Sequence, residues 1–283
     1  MKKILITGKG SYIGESFKKW IENEDVIVEE LEMQGDKWKA EDFSQYDTIL
    51  HVAGIAHVSS DPKLEDLYYK VNRDLAVETA KKAKEDGARQ FIFMSSMIVY
   101  GKDEPVGTDK IITEETEMKA ENFYGNSKLE ADLEIQKLSD EKFKVVIVRT
   151  PMVYGANCKG NFPRLRKLAK MTFIFPSIEN RRSMIYIDNL CEFFKQVVLE
   201  EKVGIFFPQN KEYVSTKEII NQMAKQFNRK IWFISVFNWV IKVLAKKIGF
   251  INKIFGSKVY SKDISGDFSY CIVDFEESIR RSI

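Results

Sequence analysis

Histidine is nearly absent: the 283 residues hold only His51 and His57. A histidine-rich metal site is therefore not expected. Cysteine is scarce too. Cys158, Cys191 and Cys271 lie far apart with no CxxC, a usage that fits reduced thiols in a cytoplasm better than a disulfide framework. No staple is required, since a chain of this length can bury about 75% of its unfolded surface. A strong excess of one charge is also missing. The net charge is +2, without the basic bias of a general nucleic-acid binder. The longest apolar stretch, "IWFISVFNWVI" from Ile231 to Ile241, falls well short of the roughly 20 residues a membrane helix needs. The opening "MKKILITGKG" imitates a signal peptide, but its apolar run stops at Thr7-Gly8, too early for an h-region. Repeats and low-complexity segments are not visible. What remains is the composition of an ordinary globular protein, 44% hydrophobic and 30% charged.

Strand-like and helix-like stretches alternate. "KILITG" ends in glycine, and Tyr12 to Asn23 has helical spacing through Ile13, Phe17, Trp20 and Ile21. "VIVEEL", "YDTILHVAG", "QFIFMSS" and "FKVVIVRTP" read as further strands, with helical stretches near Leu64 to Asp86 and around Tyr124. Continuous Val/Ile-rich runs suit strands buried on both faces of a parallel sheet. Their alternation with helices predicts an α/β fold with a Rossmann-type doubly wound sheet. After Pro151 the pattern loosens. The expected organisation is a dinucleotide-binding domain over residues 1–150, with returning strands near 184–208, and a smaller, discontinuous substrate-binding domain over 151–283. Ser215 or Thr216, with Glu218 behind, marks a helix start.

The run "ITGKGSYIGESF" places a glycine turn between a strand and a helix. Such a turn brings backbone N–H groups and a positive helix end to a pyrophosphate. "TGKGSYIG" resembles the TGxxGxxG signature of extended short-chain dehydrogenases/reductases, the NAD-dependent epimerase/dehydratase family. Gly8 and Gly14 match its outer glycines; Ser11 stands at the middle one, and Gly10 is one place early. "HVAGIAHV", "KVNRDLAVETAKKA", "FIFMSSMIVYG", "YGNSK", "VRTPMVYG" and "RRSMIYIDNL" resemble later landmarks in the family's order. The resemblance implies NAD or NADP as cofactor, bound by Gly8, Gly10, Ser11, Tyr12, Ile13, Gly14, Val52, Ala53, Gly54, Asn72, Tyr124 and Lys128. It also implies catalysis by Ser96, Tyr124 and Lys128, with no metal.

Tyr124 and Lys128 are four residues apart, so on a helix they share a face, about 6 Å apart along the axis. A phenol with a pKa near 10 is a poor base at neutral pH. A neighbouring ammonium and the positive ring of an oxidised nicotinamide favour the phenolate. A fall of three pKa units takes roughly 4 kcal/mol. Ser96 matches the family serine that holds the reacting oxygen. Ser95 points to the opposite side of the strand. Sugar 4,6-dehydratases carry an Asp-Glu pair directly after that serine, where this chain has Met97 and Ile98. Neither moves protons, which argues against dehydration.

Within the family the resemblance is closest to UDP-glucose 4-epimerases and UDP-4-keto-6-deoxy-sugar 4-reductases. It implies a nucleotide-sugar substrate, UDP-linked, in surface-polysaccharide synthesis, a cytoplasmic location and, by analogy, a homodimer. Ser96, Asn161 and Arg182 are the expected substrate contacts, with Arg149, Arg181 and Lys159 as further candidates. Met152 replaces an asparagine that many epimerases place against the diphosphate, and the reading leans slightly to the reductase. A non-catalytic NAD(P)-binding sensor is the reading from another class; the intact Ser96, Tyr124 and Lys128 weigh against it. NAD and NADP stay open: Glu29, Glu30 and Glu32 end the second strand, whereas Lys9 lies in the turn. Asp42-Phe43 is a candidate for holding the adenine. The stretch 231–256, apolar with Lys242, Lys246, Lys247 and Lys253, is expected to pack onto the substrate domain. The alternative is a peripheral helix on a membrane surface.

Overall fold

The computed structural model describes residues 1–56, 61–236, 238–245, 247 and 249–283. His57 and Val58 of the "HVAGIAHV" stretch, and Lys246, lie outside the described residues. The chain divides into two compact units, one of residues 1–101, 117–150 and 190–208, the other of 102–116, 151–189 and 209–283.

The first unit is built on a parallel sheet of six strands. From one edge these are Val26–Leu31, Lys2–Thr7, Thr48–His51, Gln90–Ser96, Lys144–Thr150 and Gly204–Phe206. Alternate side chains fill opposite faces. Leu5, Ile49, Phe91, Phe93, Val145 and Ile147 join one core, where Ala76, Ala80 and Ala83 let helix Leu75–Asp86 approach and Ala131 and Ile135 do the same for helix Phe123–Gln136. Ile4, Ile6, Leu50, Ile92, Val146 and Val148 are buried as well, as strands covered on both sides require. On that other side Phe17 of helix Tyr12–Trp20 meets Phe194 edge-on at 5.7 Å. Each fully buried side chain of this kind contributes about 1.5–3 kcal/mol. The chain order reverses beside the first strand, whose neighbours are the second and the third. In open α/β sheets the ligand crevice lies at the carboxyl ends of the strands at such a point.

The second unit holds three two-stranded parallel pairs: Met152–Tyr154 with Met184–Tyr186, Asp109–Ile112 with Ser257–Tyr260, and Ile174–Pro176 with Trp232–Ile234. Helix Thr216–Gln226 starts at Ser215 with a reciprocal capping box to Glu218. Two boundaries differ from the sequence expectation. Residues 102–116 belong to this unit, because Asp109–Ile112 pairs with Ser257–Tyr260. The strand near Ile185 does not return to the six-stranded sheet, although Gly204–Phe206 does. Pro151 has no N–H for the ladder, so the fifth strand stops at Thr150. Met152–Tyr154 then offers a fresh edge on which Met184–Tyr186 pairs.

Candidate active site

The glycine turn shows why Ser11 replaces a glycine. Gly8 has φ +112° and Gly10 φ +74°, so the left-handed conformations fall there. Ser11 has φ −74° and caps helix Tyr12–Trp20, its Oγ accepting from the Gly14 N–H at 3.2 Å. A Cβ on Gly8 would sit 2.8 Å from the Ala53 nitrogen, and one on Gly14 2.9 Å from Ile6 Cγ2. The turn is thus pressed against the end of the third strand, where the Ala53 N–H donates to the Thr7 carbonyl at 2.9 Å. Tyr12 and Ile13, half-buried, form the first helical turn.

Asn72 lies in a π-helical turn, Lys70–Asp74, between the helices Glu65–Tyr69 and Leu75–Asp86. Such bulges turn a side chain out of the regular helical register, frequently at functional sites. Fully buried, its carboxamide clamps one residue at both ends: Oδ1 accepts from the Ile55 N–H at 2.9 Å and Nδ2 donates to the Ile55 carbonyl at 3.0 Å. The clamp fixes Val52-Ala53-Gly54. A Cβ on Gly54 would lie 3.4 Å from Lys128 Nζ and 3.0 Å from Asn72 Oδ1, so the glycine lets the backbone pass over the amine.

Lys128 itself is 6% exposed. Its Nζ donates to the Met94 carbonyl at 2.8 Å and lies 4.7 Å from the Phe93 ring centre. Burial pushes this ammonium down to about 8, with the Asp132 carboxylate pulling the other way. Tyr124 is half-buried one turn earlier, with the Ser96 side chain beside its phenol. Ser96 ends the fourth strand, where its Oγ accepts from the Ile98 N–H at 3.2 Å. The Tyr68 ring flanks Tyr124 edge-on at 5.7 Å. Burial raises the phenol above its ordinary value; the neighbouring Ser96 hydroxyl lowers it, and Tyr68 adds to the rise. The expected lowering by Lys128 is therefore not a property of the protein alone, because that amine is directed at the Met94 carbonyl.

Sequence reasoning missed what holds this helix. Asp132, four residues beyond Lys128 and fully buried, accepts two bonds from Arg149, from Nε and Nη2, both 2.9 Å. It also accepts from Ser95 Oγ at 2.6 Å and from Gln136 Nε2 at 2.5 Å. Arg149 donates further to Tyr100 Oη at 2.7 Å. Burial works against the guanidinium charge, but Asp132 outweighs it and keeps its pKa above the ordinary value. Arg149 is thus an internal strut and not a substrate contact, and Ser95 is part of the same lattice. The signal was present as Tyr, Lys and Asp at 124, 128 and 132, one helical stripe. His51 was missed too. Its Nδ1 meets Thr7 Oγ1 at 2.7 Å, and burial, with the Lys128 charge, pushes it down to about 3. Neutral, it stacks near Phe91 and Phe93.

The three acids of the second strand separate. Glu29 accepts from Tyr46 Oη at 2.6 Å, and Glu32 from the N–H groups of Met33 and Gln34. Glu30 binds Lys18 at 2.9 Å, and this bond is the main reason its pKa is lowered, with the Gly10 backbone adding to it. Its Oε1 is buried with no hydrogen-bond partner among the described residues. Lys9 is exposed in the turn. Phe43 is fully buried in the core, with its N–H on Asp86 Oδ2, and so is closed to an adenine; Asp42 accepts from Ser44 N–H.

The expected substrate residues Asn161 and Arg182 belong to the second unit. Asn161 is exposed at the start of helix Asn161–Met171, next to exposed Lys159. Arg182 Nη2 donates to the Lys253 carbonyl at 2.7 Å and, at 3.4 Å, to the Asn252 carbonyl and Asp103. It serves the last turn of helix Gly249–Phe255, where the Asn252 carbonyl also accepts from the Gly256 N–H at 2.8 Å and the carbonyls near a helix end need partners from outside the helix. Burial lowers its pKa, against Asp103. Arg181 pairs with Asp109.

An all-parallel doubly wound sheet with a glycine turn at the end of its first strand is a Rossmann-type α/β fold. A profile of the NAD dependent epimerase/dehydratase family matches residues 4–207. Among curated proteins, a UDP-glucose 4-epimerase of Vibrio cholerae is 31% identical over 273 residues, 88% of this chain and 83% of that protein. An Escherichia coli O157:H7 protein, N-acetyl-alpha-D-glucosaminyl-diphospho-ditrans,octacis-undecaprenol 4-epimerase, is 25% identical over 66% of this chain and 56% of its own length. Among solved structures, a UDP-glucuronic acid 4-epimerase from Bacillus cereus in complex with NAD covers 99% of this chain and 94% of its own. Its TM-score is 0.75 at 17% identity, a likeness of fold. The chain belongs to the NAD dependent epimerase/dehydratase family.

Proposed function

We propose that this enzyme moves hydride at C4 of the sugar in a nucleotide-linked sugar, with Tyr124 as proton carrier. The observation that carries the reading is the pairing of Ser96, at a strand's carboxyl end, with the Tyr124 phenol beside it, and Lys128 buried one turn on. A nicotinamide dinucleotide fits the residues present. The glycine turn is flattened against Ala53, the Gly10 flank is open, and the buried Glu30 Oε1 lacks a partner beside that turn. Gly8–Gly14, Val52–Gly54, Asn72 and Lys128 would hold it. When bound, the nicotinamide supplies the hydride acceptor and donor. Glu30 suits ribose hydroxyls and opposes a 2′-phosphate, so NAD is the preferred form.

A secondary alcohol placed against Ser96 and Tyr124 gives its proton to Tyr124 in its phenolate form while Ser96 holds the oxygen. In the reverse direction Tyr124 returns the proton to the carbonyl oxygen. Because burial raises the phenol, Tyr124 rests protonated, which suits it as the acid. Its use as the base depends on added positive charge at the site. Met97 and Ile98 follow Ser96 as apolar residues, so no acid–base pair for water elimination stands there.

Of the two C4 reactions we place 4-epimerisation first, because the relative covering 88% of this chain bears that activity in its name. Reduction of a 4-keto-6-deoxy sugar is the second reading. It is favoured by Met152, a half-buried thioether with no hydrogen bond to offer a diphosphate as a donor. Incubation with UDP-glucose or UDP-N-acetylglucosamine, without reductant, should yield the C4 epimer with no net cofactor consumption. Stoichiometric NAD(P)H oxidation with a UDP-4-keto-6-deoxy-hexosamine would select the second reading. Inactivity in both assays would remove the C4 proposal.

A further inference from the structure

The stretch from Ile219 to Lys262 contains nine lysines and arginines and no acidic residue. In a chain of net charge +2, the remaining residues therefore carry −7. The same stretch, with the strand it pairs against, breaks the rule of apolar burial. Met171, Phe173, Ile174, Trp232, Val236 and Trp239 are each 57–71% exposed. Two of the four tryptophans of the chain are among them, whereas Trp38 is 2% exposed.

These residues sit on adjoining pieces of backbone in the second unit. The Trp232 N–H donates to the Phe173 carbonyl at 2.8 Å, and strand Trp232–Ile234 pairs with Ile174–Pro176. Asn238 Nδ2 donates to the Ser177 carbonyl at 2.8 Å, tying the start of helix Asn238–Ala245 to the same place. On that helix Trp239, Lys242 and Val243 are exposed, three and four residues apart and hence on one face. Cations lie against the rings: Lys230 Nζ is 4.8 Å from the Trp232 centre, and Arg229 is 4.4 Å from that of Phe173.

We propose that this face docks on an anionic phospholipid bilayer. Tryptophans mixed with lysines mark the membrane–water interface, where indole rings sit at headgroup level and ammonium groups meet lipid phosphates. A surface without a single carboxylate in that stretch of chain complements a negative leaflet. No helix among the described residues is long and apolar enough to cross a membrane, so the contact lies in the interface plane. The inference does not depend on the reaction proposed above.

The test is sedimentation of the full chain with vesicles. One set is phosphatidylcholine with about one third phosphatidylglycerol, the other phosphatidylcholine alone, at low salt and at about 1 M salt, where the Debye length falls to about 3 Å. Binding is expected to the anionic vesicles and to vanish at high salt. Lys230→Glu and Lys242→Glu should each weaken it roughly fivefold or more. Trp232→Ser with Trp239→Ser should abolish it, while circular dichroism and the thermal midpoint show the variants folded. No binding at low salt would overturn the proposal, as would equal binding to neutral vesicles or folded variants that bind like the parent. A tryptophan-dependent self-association in analytical ultracentrifugation without vesicle binding would also overturn it, assigning the face to a second copy.

Discussion

The end of the fourth strand and the face around Trp232 treat charge in opposite ways. In the first unit Lys128, Asp132 and Arg149 are all but removed from water, and each has fixed partners within 2.9 Å. In the second unit Lys230, Lys242 and Lys253 stand in solvent. A buried charge without its partner is costly, so its geometry is rigid and its position intolerant. An exposed charge acts through a screened field, so its exact place matters little and its sign a great deal. The difference teaches where chemistry and where adhesion can be built: proton transfer needs the first kind of site, and surface binding can use the second.

Removing the reacting proton should have the largest effect. Tyr124→Phe keeps the ring packed against Tyr68 and deletes the hydroxyl. Positioned acid–base groups contribute typically 10²–10⁴-fold; kcat should fall by about three orders of magnitude, with dinucleotide affinity changed little. Measured turnover beside a direct binding titration checks this. Retained activity would show that the buried region is a scaffold and not a site.

Next comes the strut. Asp132→Leu strands the Arg149 charge in the core, which should cost about 3–5 kcal/mol, read as a lower urea midpoint. Arg149→Met added to it should recover most of that loss, since apolar replacement of a whole buried pair is often neutral. A double variant no better than the single would mean that Ser95, Gln136 and Tyr100, and not the charge pair, carry the cost.

Lys128 gives a pH test. Its folded value of about 8 lies below the ordinary lysine value of 10.5. Between the two the unfolded chain binds a proton that the folded protein does not, so stability from this group rises with pH across that window. The penalty is full below about 8 and disappears towards 10.5. The slope approaches at most about 1.4 kcal/mol per pH unit. Tyr124 titrates above its ordinary value, so comparison is cleanest below pH about 10. Urea unfolding from pH 8 to 10 should show the rise in the parent and lose it in Lys128→Met. Parallel curves would place the lysine in contact with water after all.

Much of the buried region was legible in advance because sterics and hydrogen bonds dictate residue type there. The strands read as Val/Ile runs. Gly8, Gly14, Ser96, Tyr124 and Lys128 stood out because few other residues serve a glycine turn or a hydroxyl–amine pair. Ser11 was ambiguous, since whether a serine fills a cap or spoils a turn depends on which neighbour takes the positive φ. Arg149 was misread because a basic residue at a strand end looks the same whether its partner is a phosphate or a buried aspartate. Arg182 was read as a phosphate ligand for the same reason, whereas here it faces the end of a helix. The Trp232 region was illegible in a different way. Apolar residues at helical spacing read as core, and exposure is set by what the rest of the chain leaves uncovered.

The smallest effect should come from that uncovered face, and its smallness is the point. Trp239→Ser and Val243→Ser change residues that are 68% and 53% exposed in the folded protein. Little apolar area leaves water at these positions on folding, so the stability change should stay within about 0.5 kcal/mol. Helix propensity acts in the same small range, because serine differs from tryptophan or valine by only a few tenths of a kcal/mol. Equal thermal midpoints for parent and variants would keep the contrast between the two regions intact. A loss of about 2 kcal/mol or more, the range of a core truncation, would mean that these side chains are buried against something in solution, and the two regions would then differ in partner and not in kind.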